Sequence, residues 1–179
     1  RTFGGPLTFV VILCDVLKAV AAIKISVWLG GYFDPRIMPD TPMENQALLL
    51  VLFKYWGGLF CLLGHMFPCM FQFKGGKGIL SGGTIVLMLD WRVALVAWGL
   101  FVVLWLSTKY VSLGSIAATA SMPVTTFFVF SHNVLYTVLS AAIAALVIWC
   151  HRGNIQRLLS GTEKKFKWHV NPIREDDGK

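Results

Sequence analysis

The chain has 179 residues, of which 56% are hydrophobic and only 14% are charged. Soluble domains usually carry about 25% charged residues, so this composition excludes an ordinary soluble domain and predicts an all-α, polytopic membrane protein. The formal net charge of +7 fits an excess of lysine and arginine in connectors on one side of a membrane. No nucleic-acid partner is therefore predicted.

Long apolar segments follow one another along the chain, each bounded by a polar or glycine-rich connector. A spanning helix needs roughly 20 apolar residues, and the third segment is too short to cross alone. The predicted transmembrane helices cover residues 7–29, 46–71, 78–89, 93–107, 111–130 and 134–150. They are predicted to form one domain over residues 1–165, and residues 166–179 to form a solvated tail.

The connectors alternate in charge. The connector at 30–45 is rich in proline and acidic, whereas the second connector holds Lys74 and Lys77 and the fourth holds Lys109. The segment after the last predicted helix is also basic. Because lysine and arginine concentrate in cytoplasmic loops, both termini and all the basic connectors are predicted to lie on the cytoplasmic face.

The second connector is the most informative stretch of the chain. It reads Phe73-Lys74-Gly75-Gly76-Lys77-Gly78. Glycines let backbone N–H groups turn toward a ligand, and a following helix N-terminus adds partial positive charge. Lysines supply point charges for phosphate oxygens. The run is not a Walker A motif, and taken alone it also fits a flexible, positively charged turn.

A second motif follows the last predicted transmembrane helix. It reads His151-Arg152-Gly153-Asn154-Ile155-Gln156-Arg157. An interfacial helix with snorkelling arginines would explain its basic residues. That explanation gives no reason for His151 and Asn154 to share one helical face. Together the two motifs predict a site for anionic groups at the membrane surface.

Further polar residues lie inside or at the ends of the predicted helices. Ser112 and Ser115 begin the fifth helix, where serines usually bond the helix backbone or a neighbouring helix. Asp15 and Lys18 have the spacing of a helical ion pair, which fits either a functional group or a structural clamp. His65 is either a packed histidine or part of the site.

Several familiar catalytic patterns are absent from the sequence. No histidine is followed five residues later by an aspartate, as in acyltransferases that use a general base, and neither HExxH nor GxSxG occurs. The four cysteines lie within or at the ends of apolar segments and are predicted to be packing residues. A transferase would therefore use an activated donor, charge and positioning, with no cofactor or metal.

These motifs resemble one family, the bacterial membrane glycerol-3-phosphate acyltransferases that use acyl phosphate, called PlsY. The resemblance rests on Gly64-His65-Met66-Phe67-Pro68 with the following lysine–glycine run, on Tyr110-Val111-Ser112-Leu113-Gly114-Ser115-Ile116, and on the C-terminal motif extended by Gly161-Thr162-Glu163. Arg1-Thr2-Phe3-Gly4 is similar to the end of the family's first motif. The chain is therefore expected to lack the first of the family's seven helices and most of that motif. Ile79-Leu80-Ser81 stands where the family usually has Val-Ala-Thr.

The resemblance implies that the glycerol-3-phosphate hydroxyl attacks an acyl phosphate in phospholipid synthesis, giving lysophosphatidic acid and inorganic phosphate. It implies a monomer in a bacterial inner membrane, with membrane lipid around it and the site facing the cytoplasm. The implied catalytic residues are Lys77, His151 and Arg1. The implied substrate-binding residues are Lys74, Gly75, Gly76, Ser112, Ser115, Arg152, Asn154 and His65.

The roles implied by the resemblance follow the charges of the substrates. The cations neutralise the phosphates, His151 and Asn154 hold glycerol phosphate, and the serines donate to a phosphate or carbonyl oxygen. Because acyl phosphate has a good leaving group, the hydroxyl proton goes either to the substrate's own phosphate or to His151.

Two other functional classes stay open at the level of sequence. A small transporter or channel for an anionic solute would use the same cations but needs a polar path through the midplane. Only Asp15, Lys18, Lys24 and Lys54 are available for that path. A structural or assembly subunit explains the two motifs less well.

Overall fold

The computed structural model describes residues 5–33, 42–73 and 75–166. Within them, the regular structure is helical, which confirms the predicted all-α class, and the six predicted apolar segments agree with α1 to α6 within a few residues. The helices are α1 (Gly5–Phe33), α2 (Met43–Met66), α3 (Ile79–Leu89), α4 (Trp91–Thr108), α5 (Val111–Val129), α6 (Val134–Cys150) and α7 (Arg152–Leu159), with a short 3-10 turn at Cys69–Phe71.

Within the described residues, the starts of α4 and α6 have side-chain caps. The Asp90 carboxylate accepts a hydrogen bond from the Arg92 backbone N–H (2.8 Å) at the start of α4, and the Asn133 side chain accepts one from the Tyr136 N–H (3.2 Å) at the start of α6. Such caps satisfy backbone donors that have no partner within the helix. The connectors between α3 and α4 and between α5 and α6 can therefore be short.

The membrane character of the protein is visible in its helices and its surface. By length and composition, Asn45–Phe71, Trp91–Thr108 and Val111–Val129 can cross a membrane, and α6 with α7, which bends away by 61°, makes a fourth candidate. Large apolar side chains, such as those of Phe9, Leu95 and Phe128, lie on the outer surface. Lipid solvates such side chains as well as a protein core does. The predicted number of six spans stays a prediction.

The helices pack around one apolar core. Helix α1 contacts α2 and α3, α4 contacts α3 and α5, and α6 contacts α2 and α5. Inside the core, the Tyr55 hydroxyl lies 3.1 Å from Thr126 Oγ1, which donates to Ser140 Oγ over 3.2 Å. Because a bilayer offers no water to such groups, they bond one another. The buried apolar side chains include Ala19, Ile23, Leu62, Ile85, Val93 and Ile143.

Candidate functional site

The glycine loop after α2 is held against the end of that helix. The Gly75 N–H donates to the Met66 carbonyl (3.1 Å) and the Gly76 N–H donates to the His65 carbonyl (3.3 Å). A Cβ at Gly76 would lie 2.9 Å from His65 Cε1 and closer still to the ring nitrogen, so only a residue without a side chain fits. The sequence predicted that these N–H groups turn toward a ligand, but here both bond protein carbonyls. The packing of the glycine loop against α2 fixes the position of Lys77, which follows Gly76.

Gly78 joins this loop to α3. Its φ of 73° is left-handed, a conformation that glycine adopts without strain. A Cβ there would also lie within 2.9 Å of the Leu62 side chain. The turn points the N-terminus of α3, with its partial positive charge, toward the same end of the bundle as the exposed Lys77.

Lys77 meets the C-terminal motif. Its Nζ donates to Asn154 Oδ1 over 2.7 Å, so the start of α3 and the start of α7 share one end of the bundle. Asn154 is buried, whereas Lys77 is exposed. An exposed ammonium that is bound to Asn154 among the described residues still has N–H donors to offer an anion. The two sequence motifs therefore converge, as the sequence predicted.

Glu163 holds the same cluster together through hydrogen bonds. One carboxylate oxygen accepts hydrogen bonds from Ser112 Oγ (2.6 Å) and Asn154 Nδ2 (2.8 Å), and the other accepts one from Arg157 Nε (2.7 Å). Burial disfavours the ionised form, but the three hydrogen bonds and the charge of Arg157 outweigh it and lower the pKa of Glu163 to about 2. The carboxylate therefore ties α5 to α7.

His151 occupies the bend between α6 and α7. Its side chain is almost fully buried, and its Nδ1 lies 2.8 Å from the Val147 carbonyl oxygen. Because a carbonyl can only accept, Nδ1 carries the proton and Nε2 of the neutral ring is an acceptor. The backbone of α6 thus fixes the histidine in the tautomer that can accept a hydrogen bond from a hydroxyl group.

His65 belongs to a second polar cluster, between α1 and α2. Lys18 Nζ lies 2.5 Å from both Asp15 Oδ1 and His65 Nδ1. A lysine ammonium can only donate, so His65 Nδ1 accepts and the ring is neutral. The sequence left open whether Asp15 and Lys18 form a functional group or a clamp. The geometry favours a clamp that supports the glycine loop through His65.

The remaining predicted site residues lie outside these bonds. Ser115 Oγ donates to the Val111 carbonyl of its own helix (2.9 Å). Arg152 donates to the Trp149 carbonyl (3.1 Å), and its guanidinium lies 5.0 Å from the centre of the Trp149 ring. Ser115 and Arg152 are thus not brought to Lys77 by the described contacts. The predicted residues Arg1 and Lys74 lie outside the described residues.

Glu163 and Arg157 have no role predicted from the sequence, although both stand in the C-terminal motif and its extension. The turn that returns the chain to Ser112 passes through Gly161, whose φ is 68°. A single acidic residue in a basic stretch, two residues after a glycine that follows a helix end, is the signal that could have identified Glu163.

An apolar cavity of about 330 Å³ lies next to the polar cluster, between α3, α4, α5 and α6. Gly78 and Ser115 line it on the side of Lys77, and Val86 and Met122 line it deeper in the bundle. A polar group that enters near Lys77 can therefore carry an apolar chain into the protein. Within the described ranges, no group of three or more His, Cys, Asp or Glu side chains is placed to hold a metal ion.

The fold and the site together define an integral membrane protein with a cationic, hydrogen-bonded pocket beside an apolar cavity. A family model described as glycerol-3-phosphate acyltransferase matches residues 1–161. The chain belongs to this family, and it is an acyltransferase.

Individual relatives agree with this assignment. The chain is 36% identical over 168 residues to a glycerol-3-phosphate acyltransferase of Fusobacterium nucleatum, covering 94% of this chain and 77% of the relative. It is 34% identical over 167 residues to one of Acaryochloris marina, with 93% and 73% covered.

Two crystal structures of PlsY, an integral membrane glycerol 3-phosphate acyltransferase, have the same fold. The glycerol 3-phosphate form is 27% identical with a TM-score of 0.56, covering 87% of this chain and 96% of that chain. The lysophosphatidic acid form is 26% identical with a TM-score of 0.56, covering 87% and 95%. These comparisons support the acyltransferase prediction and give no support to the transporter alternative.

Proposed function

We propose that this protein transfers a fatty acyl group from an acyl phosphate to glycerol-3-phosphate, forming lysophosphatidic acid and inorganic phosphate. The observation that carries the proposal is the bond network from Lys77 through Asn154 and Glu163 to Ser112, at the edge of an apolar cavity. A substrate with a phosphate and a fatty chain matches these two neighbouring environments.

The cationic end of the site neutralises the substrates' phosphates. Two phosphates brought together repel each other, and the Lys77 ammonium with the N-terminus of α3 offsets this repulsion. Arg1 and Lys74 are proposed to add to this charge on the basis of the resemblance. Preorganised positive charge of this kind stabilises the charge that develops on the carbonyl oxygen and the leaving phosphate.

The reaction exchanges one acyl C–O bond for another and moves one proton. The glycerol-3-phosphate hydroxyl oxygen attacks the acyl carbonyl carbon, and the bond from that carbon to the phosphate oxygen breaks with its electron pair leaving on phosphate. The hydroxyl proton goes to a phosphate oxygen. His151 Nε2 and Asn154 orient the acceptor, and Ser112 donates to a phosphate or carbonyl oxygen once it leaves Glu163. Holding both substrates is itself a large source of rate.

The charges around the site support a position on the cytoplasmic face of the membrane. Basic residues mark the cytoplasmic side of a membrane protein. Those at this end of the bundle include Lys77, Lys109, Arg152, Arg157 and Lys165. We therefore place the site on the cytoplasmic face of a bacterial inner membrane, in a protein that acts as a monomer surrounded by lipid.

The test is a reconstitution of the purified chain in lipid vesicles with palmitoyl phosphate and glycerol-3-phosphate. Phosphate release and lysophosphatidic acid, measured by mass spectrometry, should appear in equal amounts and only when both substrates are present. Vesicles without protein are the control. Phosphate release without lysophosphatidic acid, or movement of phosphate across the vesicle membrane without any transfer, would refute the proposal.

A further inference from the structure

The apolar cavity extends to the same depth along two helices. It begins at Gly78 and Ser115 and reaches Val86 on α3 and Met122 on α5. Ile79 and Val86 are seven residues apart, as are Ser115 and Met122, which corresponds to about 10 Å at the rise of an α-helix. Both helices start at the site. Val86 and Met122 therefore lie opposite the polar cluster, at the inner end of the cavity.

The inner end is closed by protein, whereas one side is open. Val86, Met122 and Ile143 line the cavity and are only 3%, 6% and 1% exposed. Ile143 precedes His151 by eight residues on α6, so it lies at a similar depth. Trp98, on the side of the cavity, is 38% exposed, and its Nε1 donates to the Gly83 carbonyl (3.3 Å). An apolar chain thus meets a wall at Met122.

We propose that Met122, supported by Val86 and Ile143, sets the length of the acyl chain that the protein transfers most efficiently. This inference rests on the proposed function. A chain that ends at Met122 buries every methylene against protein, whereas a longer chain must bend out past Trp98. One buried methylene changes an equilibrium roughly fourfold, so a wall at Met122 produces a measurable preference. Because methionine is unbranched and adaptable, the preference should fall off gradually with increasing chain length.

Two substitutions move the wall in opposite directions. Met122→Ala deepens the cavity and should favour longer chains, whereas Ala118→Leu fills it one helical turn after Ser115 and should favour shorter ones. Met88→Ala is the matched control, because it removes the same side-chain atoms on α3. Met88 packs on the core and is not among the residues lining the cavity.

The experiment compares the three variants and the original chain with a series of saturated acyl phosphates, from hexanoyl to octadecanoyl phosphate, at fixed glycerol-3-phosphate. For each protein, kcat/KM is divided by its value for the shortest chain, so that a general loss of activity cancels. Met122→Ala should raise the ratio for the longest chain about tenfold, Ala118→Leu should lower it by a similar factor, and Met88→Ala should leave it unchanged.

Each outcome has a separate meaning. If Met122→Ala and Ala118→Leu transfer acyl groups with the same chain profile as the original protein, the inference is wrong although the proposed function stands. Should Met122→Ala fail to fold in detergent, the profile of Ala118→Leu decides alone. If the original chain transfers no acyl group of any length, the proposed function itself fails.

Discussion

Lys77 Nζ lies 2.7 Å from Asn154 Oδ1, although 77 residues separate the two along the chain. The same amide donates through Nδ2 to the Glu163 carboxylate (2.8 Å). Because lysine can only donate and an ionised carboxylate can only accept, both bonds require the same orientation of the Asn154 amide. The amide is therefore held between a fixed anion and an exposed cation, and the cation is left to meet the substrate.

Replacing Lys77 by alanine should reduce kcat/KM for acyl transfer by two to three orders of magnitude. Loss of one preorganised donor to developing negative charge typically costs about that much. The assay is phosphate release from palmitoyl phosphate in vesicles, with protein insertion checked by extraction. Lys109→Ala removes an exposed lysine outside the cluster and should retain transfer. If Lys77→Ala turned over substrate as fast as the unsubstituted protein, the role given to Lys77 would be contradicted.

Replacing His151 by glutamine should raise KM for glycerol-3-phosphate and leave kcat within about tenfold. The glutamine amide can still donate to the Val147 carbonyl and bond the acceptor, but it cannot take a proton, and in this proposal a phosphate oxygen takes it. A general base contributes about a hundred- to ten-thousand-fold. A kcat loss of that size, with KM unchanged, would show instead that His151 is the base.

The sequence predicted the six apolar segments because each is an apolar run between polar or glycine-rich breaks. It also predicted that one face of the membrane carries Lys77, Ser112, His151 and Asn154. The charge of the connectors indicates which helix ends lie on the same side of the membrane. It could not place Glu163, because that depends on a turn at Gly161 and on a partner 51 residues away.

Other local details also depend on three-dimensional packing. Arg152 lies over the Trp149 ring and donates to the Trp149 carbonyl, and the sequence motif does not show that these contacts compete with a role at Lys77. The Gly75 and Gly76 N–H groups bond the end of α2, which the motif pattern does not reveal. Spacing identifies which side chains share a face, but the competing carbonyls are known only from the fold.

Glu163→Gln should destabilise the protein at neutral pH by about 2 kcal/mol, because hydrogen bonds to a charged group are lost or weakened. The pKa of Glu163 is about 2, below the ordinary value of about 4.3. Its contribution is therefore full above pH 4.3 and lost as pH falls toward 2. Thermal unfolding in detergent should show this acid-dependent loss in the original protein and a smaller one in Glu163→Gln. Identical pH profiles would contradict the assignment.

Lys18→Met should destabilise the contact between α1 and α2 by about 1 kcal/mol, since the ammonium bonds both Asp15 and His65 but is partly exposed. A double-mutant cycle with His65→Phe, followed by thermal unfolding, measures the coupling. Additive effects of the two substitutions would show that the Lys18–His65 bond contributes no coupling energy.

Gly76→Ala should lower transfer by more than tenfold without preventing insertion into the membrane. The added methyl group would overlap the His65 ring, so the loop must shift and carry Lys77 away from Asn154. A displacement of about 1 Å at a catalytic group can cost a hundredfold in rate. Gly64→Ala is the matched control, because a Cβ at Gly64 meets nothing within 4 Å and alanine favours the helix. The discriminating measurement is kcat/KM for both variants beside their thermal stability.

Because the predicted defect arises from the contact with His65, the double variant His65→Ala/Gly76→Ala should recover part of the activity lost in Gly76→Ala. No recovery, in a double variant that inserts normally, would show that Gly76 acts by some route other than this contact.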